Sequence, residues 1–257
     1  MRCAMQQMSA TEIQIIAKCG QHVKKLHLCN MSPHASNVPS ANLPLGKARP
    51  FVIGLTGGIA AGKSLVGRMF EALDIPVWNA DEAAKKIYQT DEALRQVLVE
   101  RWGSRIGYHD VAGNLTGIKL PALADIVFND PAELNWLEAQ VHPAVAHAFD
   151  TWASDVFRIQ KCGIVAREAA ILFESKSNES CDVVVTVEAP LSLRVVRAQA
   201  RTPEDKPTRE DILKRVERQW QRDERVALAD FVIENDDMSQ LLPQVLEVVN
   251  AIRASIG

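Results

Sequence analysis

The chain has 257 residues, 47% hydrophobic and 24% charged, with 29 Lys and Arg against 32 Asp and Glu. That composition fits an ordinary globular protein of one large domain, or one domain with an insertion, and no apolar run approaches the ~20 residues needed to cross a bilayer. A net charge of −3 argues against bulk nucleic-acid binding.

Residues 1–50 differ from the rest. They carry six basic residues (Arg2, Lys18, Lys24, Lys25, Lys47, Arg49) and one acid, Glu12, so the remaining chain has a net charge of −8. A rough helical period through Ile15, Cys19, Val23 and Leu26 gives way to a stretch punctuated by Pro33, Pro39, Pro44 and Pro50. The stretch reads as an extended or disordered linker. Three readings stay open for this extension: a basic transit peptide, a tail without a role, or a start assigned too far upstream. The fold is expected to begin near Pro50.

From there the pattern alternates. FVIGLT (51–56) reads as a buried strand, and the loop after it opens a helix through Val66, Met69, Phe70 and Leu73. PVWN (76–79) is a second strand and DEAAKKIY a second helix. CGIVA (162–166), DVVVTV (182–187) and DFVIEN (230–235) supply three more strands, separated by helical segments. The alternation predicts an α/β fold with a five-stranded parallel sheet and helices on both faces. Residues 91–157 break it: they show at least three helical patterns and no convincing strand, and read as a helical subdomain inserted over one end of the sheet. Five cysteines (Cys3, Cys19, Cys29, Cys162, Cys181), an odd set without a C-x-x-C pair, predict neither a disulfide framework nor a zinc site. They suit a reducing, cytoplasmic compartment.

The loop after the first strand, GGIAAGKSL (57–65), fits G-x-x-x-x-G-K-S. Chemistry explains each fixed position. Gly57 and Gly62 allow backbone angles closed to other residues, and converging N–H groups at a helix N-terminus hold phosphate. Lys63 reaches the terminal phosphates, and the Ser64 hydroxyl can ligate Mg²⁺. Ala60 and Ala61 fall where the motif specifies nothing.

A phosphate loop implies a nucleotide and leaves the reaction open. Ligands in open α/β sheets sit beyond the carboxyl ends of the strands. Strand two ends in Asn79-Ala80-Asp81-Glu82. Asp81 reads equally as a helix-capping acid or, since Asn79 and Glu82 already make a box-like cap, as an acid orienting an acceptor hydroxyl. Glu168, ending strand three, is placed either to hold magnesium through water or to form an ion pair. Arg194, Arg197 and Arg201 share one helical face. With Thr208, Asp211 and a helix containing Arg215, Gln219 and Arg222, they read either as a solvated charged hairpin or as a lid, about 194–225, closing over ATP.

Together these stretches resemble one family, the dephospho-coenzyme A kinases, across residues 51–257. The resemblance is carried by GLTGGIAAGKS (54–64), the Asn-Ala-Asp after strand two, IVFNDP (126–131), LEAQVHP (137–143), ILFE (171–174), LRVVRAQAR (193–201), RVERQW (215–220) and ADFVIEN (229–235). It implies a P-loop fold of three layers and ATP-dependent phosphorylation of the ribose 3′-hydroxyl of dephospho-CoA. It implies Asp81, Lys63 and Arg197 as catalytic residues. Around ATP and Mg²⁺ it implies Ala60, Ala61, Gly62, Lys63, Ser64, Leu65, Arg201 and Asn235, with Ser64 and, through water, Glu168 for the metal. Thr56, Asp81, His142, Leu172 and Glu174 are implied around the acceptor. A histidine before proline equally marks a helix boundary. It further implies small-molecule partners only, with neither nucleic acid nor membrane, and a monomer.

The chain departs from the family's pattern at Asn79, where an acid is common, and at Ala60-Ala61, where Gly-Ser is common. It also departs at Leu65, where Ser or Thr is common, at Ala170, where proline is common, and in a somewhat longer TPEDKP segment. Two alternatives remain: a P-loop kinase acting on nucleosides or nucleoside monophosphates, and a non-catalytic nucleotide-binding protein.

Overall fold

A computed structural model of the chain describes residues 49–127, 130–200 and 207–256. The basic extension at 1–48, Arg201 with the TPEDKP segment, and Phe128-Asn129 of the IVFNDP stretch lie outside the described residues. The described residues divide into two compact units, 49–78 with 154–256, and 79–153.

The first unit is built on a five-stranded sheet ordered β2-β5-β1-β6-β7. Its strands are β1 (Phe51–Gly57), β2 (Val77–Asn79), β5 (Ile164–Glu168), β6 (Val183–Glu188) and β7 (Phe231–Glu234). β1 pairs in parallel with both β5 and β6, and β6 in parallel with β7. The central strands are buried along nearly their whole length, and their continuous apolar runs are what a parallel sheet covered on both faces requires. Two aspartates pin the register. Asp182, just before β6, donates its N–H to the Val52 carbonyl at 2.8 Å and accepts the Val52 N–H at 2.7 Å. Asp230, just before β7, does the same with Val184 at 2.9 and 2.7 Å. Arg49 adds a bidentate ion pair to Asp182 at 2.7 and 2.9 Å.

Helix α1 (Lys63–Ala72) starts directly from the phosphate-loop sequence. With the C-terminal helix α9 (Leu241–Ile256), it covers the sheet with Val66, Phe70, Val245, Val248, Val249 and Ile252, in one cluster with Ile53, Leu55, Val185, Val187 and Ile233. Arg253 of α9 donates to the Leu73 carbonyl at 2.7 Å, occupying a carbonyl that the end of α1 leaves without a helical partner. α6 (Leu191–Ala200), α7 (Arg209–Glu217) and α8 (Arg222–Leu228) lie between β6 and β7. Thr208 and Asp211 form the predicted capping box of α7. The helix expected to run through Arg215, Gln219 and Arg222 instead ends at Glu217. Gln219 and Trp220 occupy the bend, and Arg222 opens α8.

The second unit contains α2 (Ala80–Thr90), α3 (Glu92–Trp102), α4 (Leu120–Val127) and α5 (Pro131–Gln160), the last crossing the boundary between units. It also contains an antiparallel pair, β3 (Gly107–His109) and β4 (Leu115–Ile118). The expectation of no strand in 91–157 is therefore corrected. These strands are three and four residues long, and their turn is set by Asp110, whose Oδ1 accepts the N–H groups of Ala112 and Asn114 at 2.9 and 2.8 Å. α5 begins with Asp130 as cap and Pro131 as first helical residue. Its buried stripe runs Leu137, Val141, Val145, Phe149, Ala153 and Val156, the i, i+4 spacing of a one-sided helix. Pro143 lies inside this helix, so His142-Pro143 does not mark a helix boundary. The stripe's packing carries the helix past a residue that cannot donate to the carbonyl four residues back. No helix among the described residues is long and apolar enough to cross a membrane.

Cys162 and Cys181 are free thiols. Burial, the largest influence, pushes Cys181 up to about 11, so at pH 8 it holds its proton and is a poor nucleophile. Brief alkylation of the native chain at pH 8, followed by peptide mass mapping, should leave Cys181 unmodified, while the same treatment in urea labels it fully. Labelling at equal rates in the two conditions would contradict the packing described here.

Candidate active site

The site grows from the carboxyl end of β1. Gly57 leaves the strand at φ 141°, Ala60 takes φ 57° and Gly62 φ 111°, while Ala61 donates its N–H to the Gly58 carbonyl at 3.1 Å. Positive φ at Gly57, Ala60 and Gly62 curls the chain in the way that anion-binding loops are built. Gly62 then caps α1, whose first turn holds no acid, so the helix presents its N–H groups and positive end to the same loop. Ala60 is left-handed without being glycine, at a cost of about 1–2 kcal/mol. Its methyl group offsets part of this cost by packing with Val195 and Ala198 of α6 and Ile212 of α7.

Two side chains brace the loop from outside. Asn235, just past β7, donates to the Ala61 carbonyl at 2.7 Å. It stands so close that a methyl group on Gly62 would fall 2.2 Å from its Nδ2. Arg197 of α6 in turn donates to the Asn235 carbonyl at 3.0 Å and pairs with Asp237. On the other side Gln219, buried in the bend between α7 and α8, accepts the Ile59 N–H at 2.8 Å and donates to the Ala170 carbonyl at 2.7 Å. One amide thus joins the loop to the segment after β5. Next to it Trp220 stacks on Phe173 with 5.4 Å between ring centroids, and its N–H donates to Glu174 at 2.7 Å.

Inside the loop Lys63 is nearly buried, and its ammonium donates to the carbonyls of Gly57 at 2.9 Å and Gly58 at 3.2 Å. Ser64 is exposed, and its hydroxyl donates to the buried carboxylate of Glu168 at 2.9 Å. Hydroxyl and carboxylate therefore meet where α1 and β5 both end at the loop.

Of the other residues singled out in the sequence, Thr56 is buried and its hydroxyl finds no hydrogen-bond partner among the described residues. Leu172 is wholly buried, with one methyl against Gly54; its side chain is a packing element. Leu65 is half-buried on α1. Asp81 is exposed in the first turn of α2, where Asn79 rather than Asp81 caps the helix by accepting the Glu82 N–H at 2.9 Å. His142 lies half-buried on α5. Asp81 and His142 belong to the second unit.

The sequence reading passed over a buried charge group beside the loop. Glu188, ending β6, is wholly buried and accepts from Arg225 of α8 at 2.8 and 2.7 Å and from the Thr186 hydroxyl at 2.7 Å. An acid closing an otherwise apolar strand was its signal. Arg194, for which a solvated face and a lid over ATP both stood open, is buried beside this pair, which excludes the solvated face for this residue.

The chain matches the family described as dephospho-CoA kinase over residues 51–240. A dephospho-CoA kinase of Bacteroides fragilis is 36% identical over 200 residues, 77% of this chain and 90% of that protein. One from Chlorobium chlorochromatii is 34% identical over 193 residues, 75% of this chain and 89% of the relative. Among solved structures, one from Thermus thermophilus superposes with a TM-score of 0.65 at 28% identity, covering 81% of this chain and 99% of its own. The dephospho-CoA kinase of Campylobacter jejuni shares the fold, with a TM-score of 0.55 at 23% identity over 79% of this chain and 98% of its own. A match over most of the folded chain, together with relatives a third identical along nearly their full length, decides the matter: the chain belongs to the dephospho-CoA kinase family, which uses ATP to phosphorylate the 3′-hydroxyl of dephospho-CoA.

Proposed function

We propose that this chain performs the family's reaction with Lys63, Ser64, Asp81 and Arg197 as its working groups. The observation that carries the reading is the intact phosphate loop, with Lys63 on the loop carbonyls and Ser64 2.9 Å from Glu168.

The Ile59 amide is taken by Gln219 and the Ala61 amide by the Gly58 carbonyl. The phosphates of ATP are therefore held further along, toward Gly62 and the first turn of α1. Lys63 exchanges its carbonyl partners for phosphate oxygens, and Arg197 of α6 adds positive charge, as does Arg201, which lies outside the described residues. Asn235 holds the loop in shape, and Ala60, Ala61 and Leu65 flank the phosphates, the last two with their amides on the Gly58 and Gly62 carbonyls. A hydroxyl beside a carboxylate is a hard-oxygen donor set that fits Mg²⁺, which takes one or two protein oxygens, phosphate oxygens and water. Ser64 would hold the ion directly and Glu168 through water; bound there, it would offset charge on the β- and γ-phosphates.

Asp81 orients the acceptor's 3′-hydroxyl and takes its proton as the oxygen attacks the γ-phosphorus. The new bond is O3′–P, and the bond that breaks joins the γ-phosphorus to the β–γ bridging oxygen. ADP leaves with the electron pair, and Asp81 returns the proton to solvent. His142, Thr56 and Glu174 are the residues assigned to the acceptor. Positioning and fixed charge supply most of the rate in such transfers.

The direct test is ADP release measured with and without dephospho-CoA, alongside a panel of nucleosides and nucleoside monophosphates. Release that depends on dephospho-CoA is expected; none from a folded chain overturns the reading. Asp81→Ala should lower kcat by about 10²–10⁴-fold and leave ATP affinity nearly unchanged. Full turnover in that variant removes Asp81 as the base. Gln219→Met keeps the volume but leaves the Ile59 N–H and the Ala170 carbonyl unpaired. It should lower stability by about 1–3 kcal/mol in urea unfolding.

A further inference from the structure

Arg194, in the first turn of α6, is only 7% exposed. Its Nε and Nη1 are sealed from solvent and find no hydrogen-bond partner among the described residues. The acid nearby does not serve it: both oxygens of Glu188 are engaged by Arg225, one of them also by Thr186. One carboxylate thus stands beside two guanidinium groups, and the group keeps a net positive charge. Burial, then Arg225, press the Arg194 guanidinium down from its ordinary value while Glu188 pulls it up. An arginine nonetheless stays charged. Buried guanidinium N–H groups without an acceptor, beside a carboxylate already shared with another arginine, are destabilising by themselves, and a native fold retains them where something else completes them.

Its position says what completes it. A methyl group on Gly58 would lie 1.9 Å from Nη1 and 2.7 Å from Cζ, so the guanidinium rests directly against the second glycine of the phosphate loop. The carbonyl of that same glycine accepts from the Lys63 ammonium at 3.2 Å. Two cations therefore bracket one loop residue.

We propose that Arg194 is a phosphate-binding residue, a buried guanidinium whose unpartnered N–H groups donate to the phosphate chain of the nucleoside triphosphate held by the loop. The proposal rests on reading the loop as the ATP site. It adds a cation beyond Lys63, Arg197 and Arg201, and it makes nucleotide affinity depend on phosphate number. Because the guanidinium lies against the loop, the donor nucleotide is its ligand rather than the diphosphate of the acceptor.

The test uses the full chain as wild type, Arg194→Met, Arg194→Gln and Arg194→Lys. Affinities for ATP with magnesium, ATP alone, AMP, inorganic tripolyphosphate and dephospho-CoA are measured by calorimetry, and thermal unfolding is followed with and without ATP. Arg194→Met should weaken ATP and tripolyphosphate by at least about tenfold, the loss of a charge-assisted hydrogen bond. AMP and dephospho-CoA should be unaffected, Arg194→Gln should behave similarly, and Arg194→Lys should fall between. The unliganded Met variant should melt no lower than wild type, because an unpaired buried charge has been removed, while its stabilisation by ATP shrinks. A merely structural arginine would give the opposite pattern, with a lower melting temperature and unchanged ATP affinity, and that result overturns the proposal. Equal loss of dephospho-CoA affinity overturns it as well. Wild-type binding of ATP matched by both the Met and Gln variants overturns this proposal alone, whereas no ATP binding by wild type overturns the reading of the loop too.

Discussion

The structure depends on holding the turn at 57–62 in its positive-φ shape. Such a turn has no regular ladder to hold it, so its neighbours must. The Val187 carbonyl of β6 closes on Gly57, Arg194 on Gly58 and Asn235 on Gly62, each so near that a methyl group on the glycine would fall within 2.1, 1.9 and 2.2 Å respectively. Gln219 ties Ile59, and the methyl of Ala60 packs on α6 and α7. Strand order follows from the same demand. β1 must lie in the middle for elements after β5, β6 and β7 all to reach the loop.

The bracing also ties the loop to several separate elements. Asn235 holds the Ala61 carbonyl and is itself held by Arg197, while Gln219 joins Ile59 to Ala170 beside the stacked Phe173 and Trp220. Single hydrogen bonds connect the loop to Asn235 after β7 and to Gln219 in the α7–α8 bend, and a second bond from each leads on to α6 and to the segment after β5. Interactions of this kind have definite partners and are made or lost as units, which packed apolar surface does not do.

Much of this was legible in the sequence because the signals are local. Buried parallel strands read as apolar runs, and the phosphate loop has fixed chemistry at fixed spacing. The capping box at Thr208 and Asp211 follows from side-chain reach alone. What was missed depends on tertiary context. The β3–β4 pair is too short for alternation to register, and its glycines at 107 and 117 weaken the strand signal, although Asp110 to Asn114 carries turn chemistry. His142-Pro143 suggested a boundary, but the packed stripe of α5 overrides the local preference. Arg194 and Arg197 share a helical face by spacing, and spacing cannot tell solvent from a second layer of protein. Gln219 sits at a helix break that no proline or glycine announces.

Buried charge is concentrated at one end of this sheet: Lys63, Glu168, Glu188, Arg194 and Arg225 are all less than 10% exposed. Arg167 and Arg95 are the other buried charges among the described residues. Each buried ion loses hydration worth several kcal/mol, and only close partners offset that loss. Glu188 and Arg225 offset each other, and Ser64 donates to Glu168. Lys63 donates to the Gly57 and Gly58 carbonyls. Of Lys63, Glu168, Glu188, Arg194 and Arg225, it is Arg194 whose N–H groups lack a partner among the described residues. A polyanion brings the missing charge, so binding energy and fold stability draw on the same groups. The same electrostatics favours a ligand that carries several charges over one that carries few.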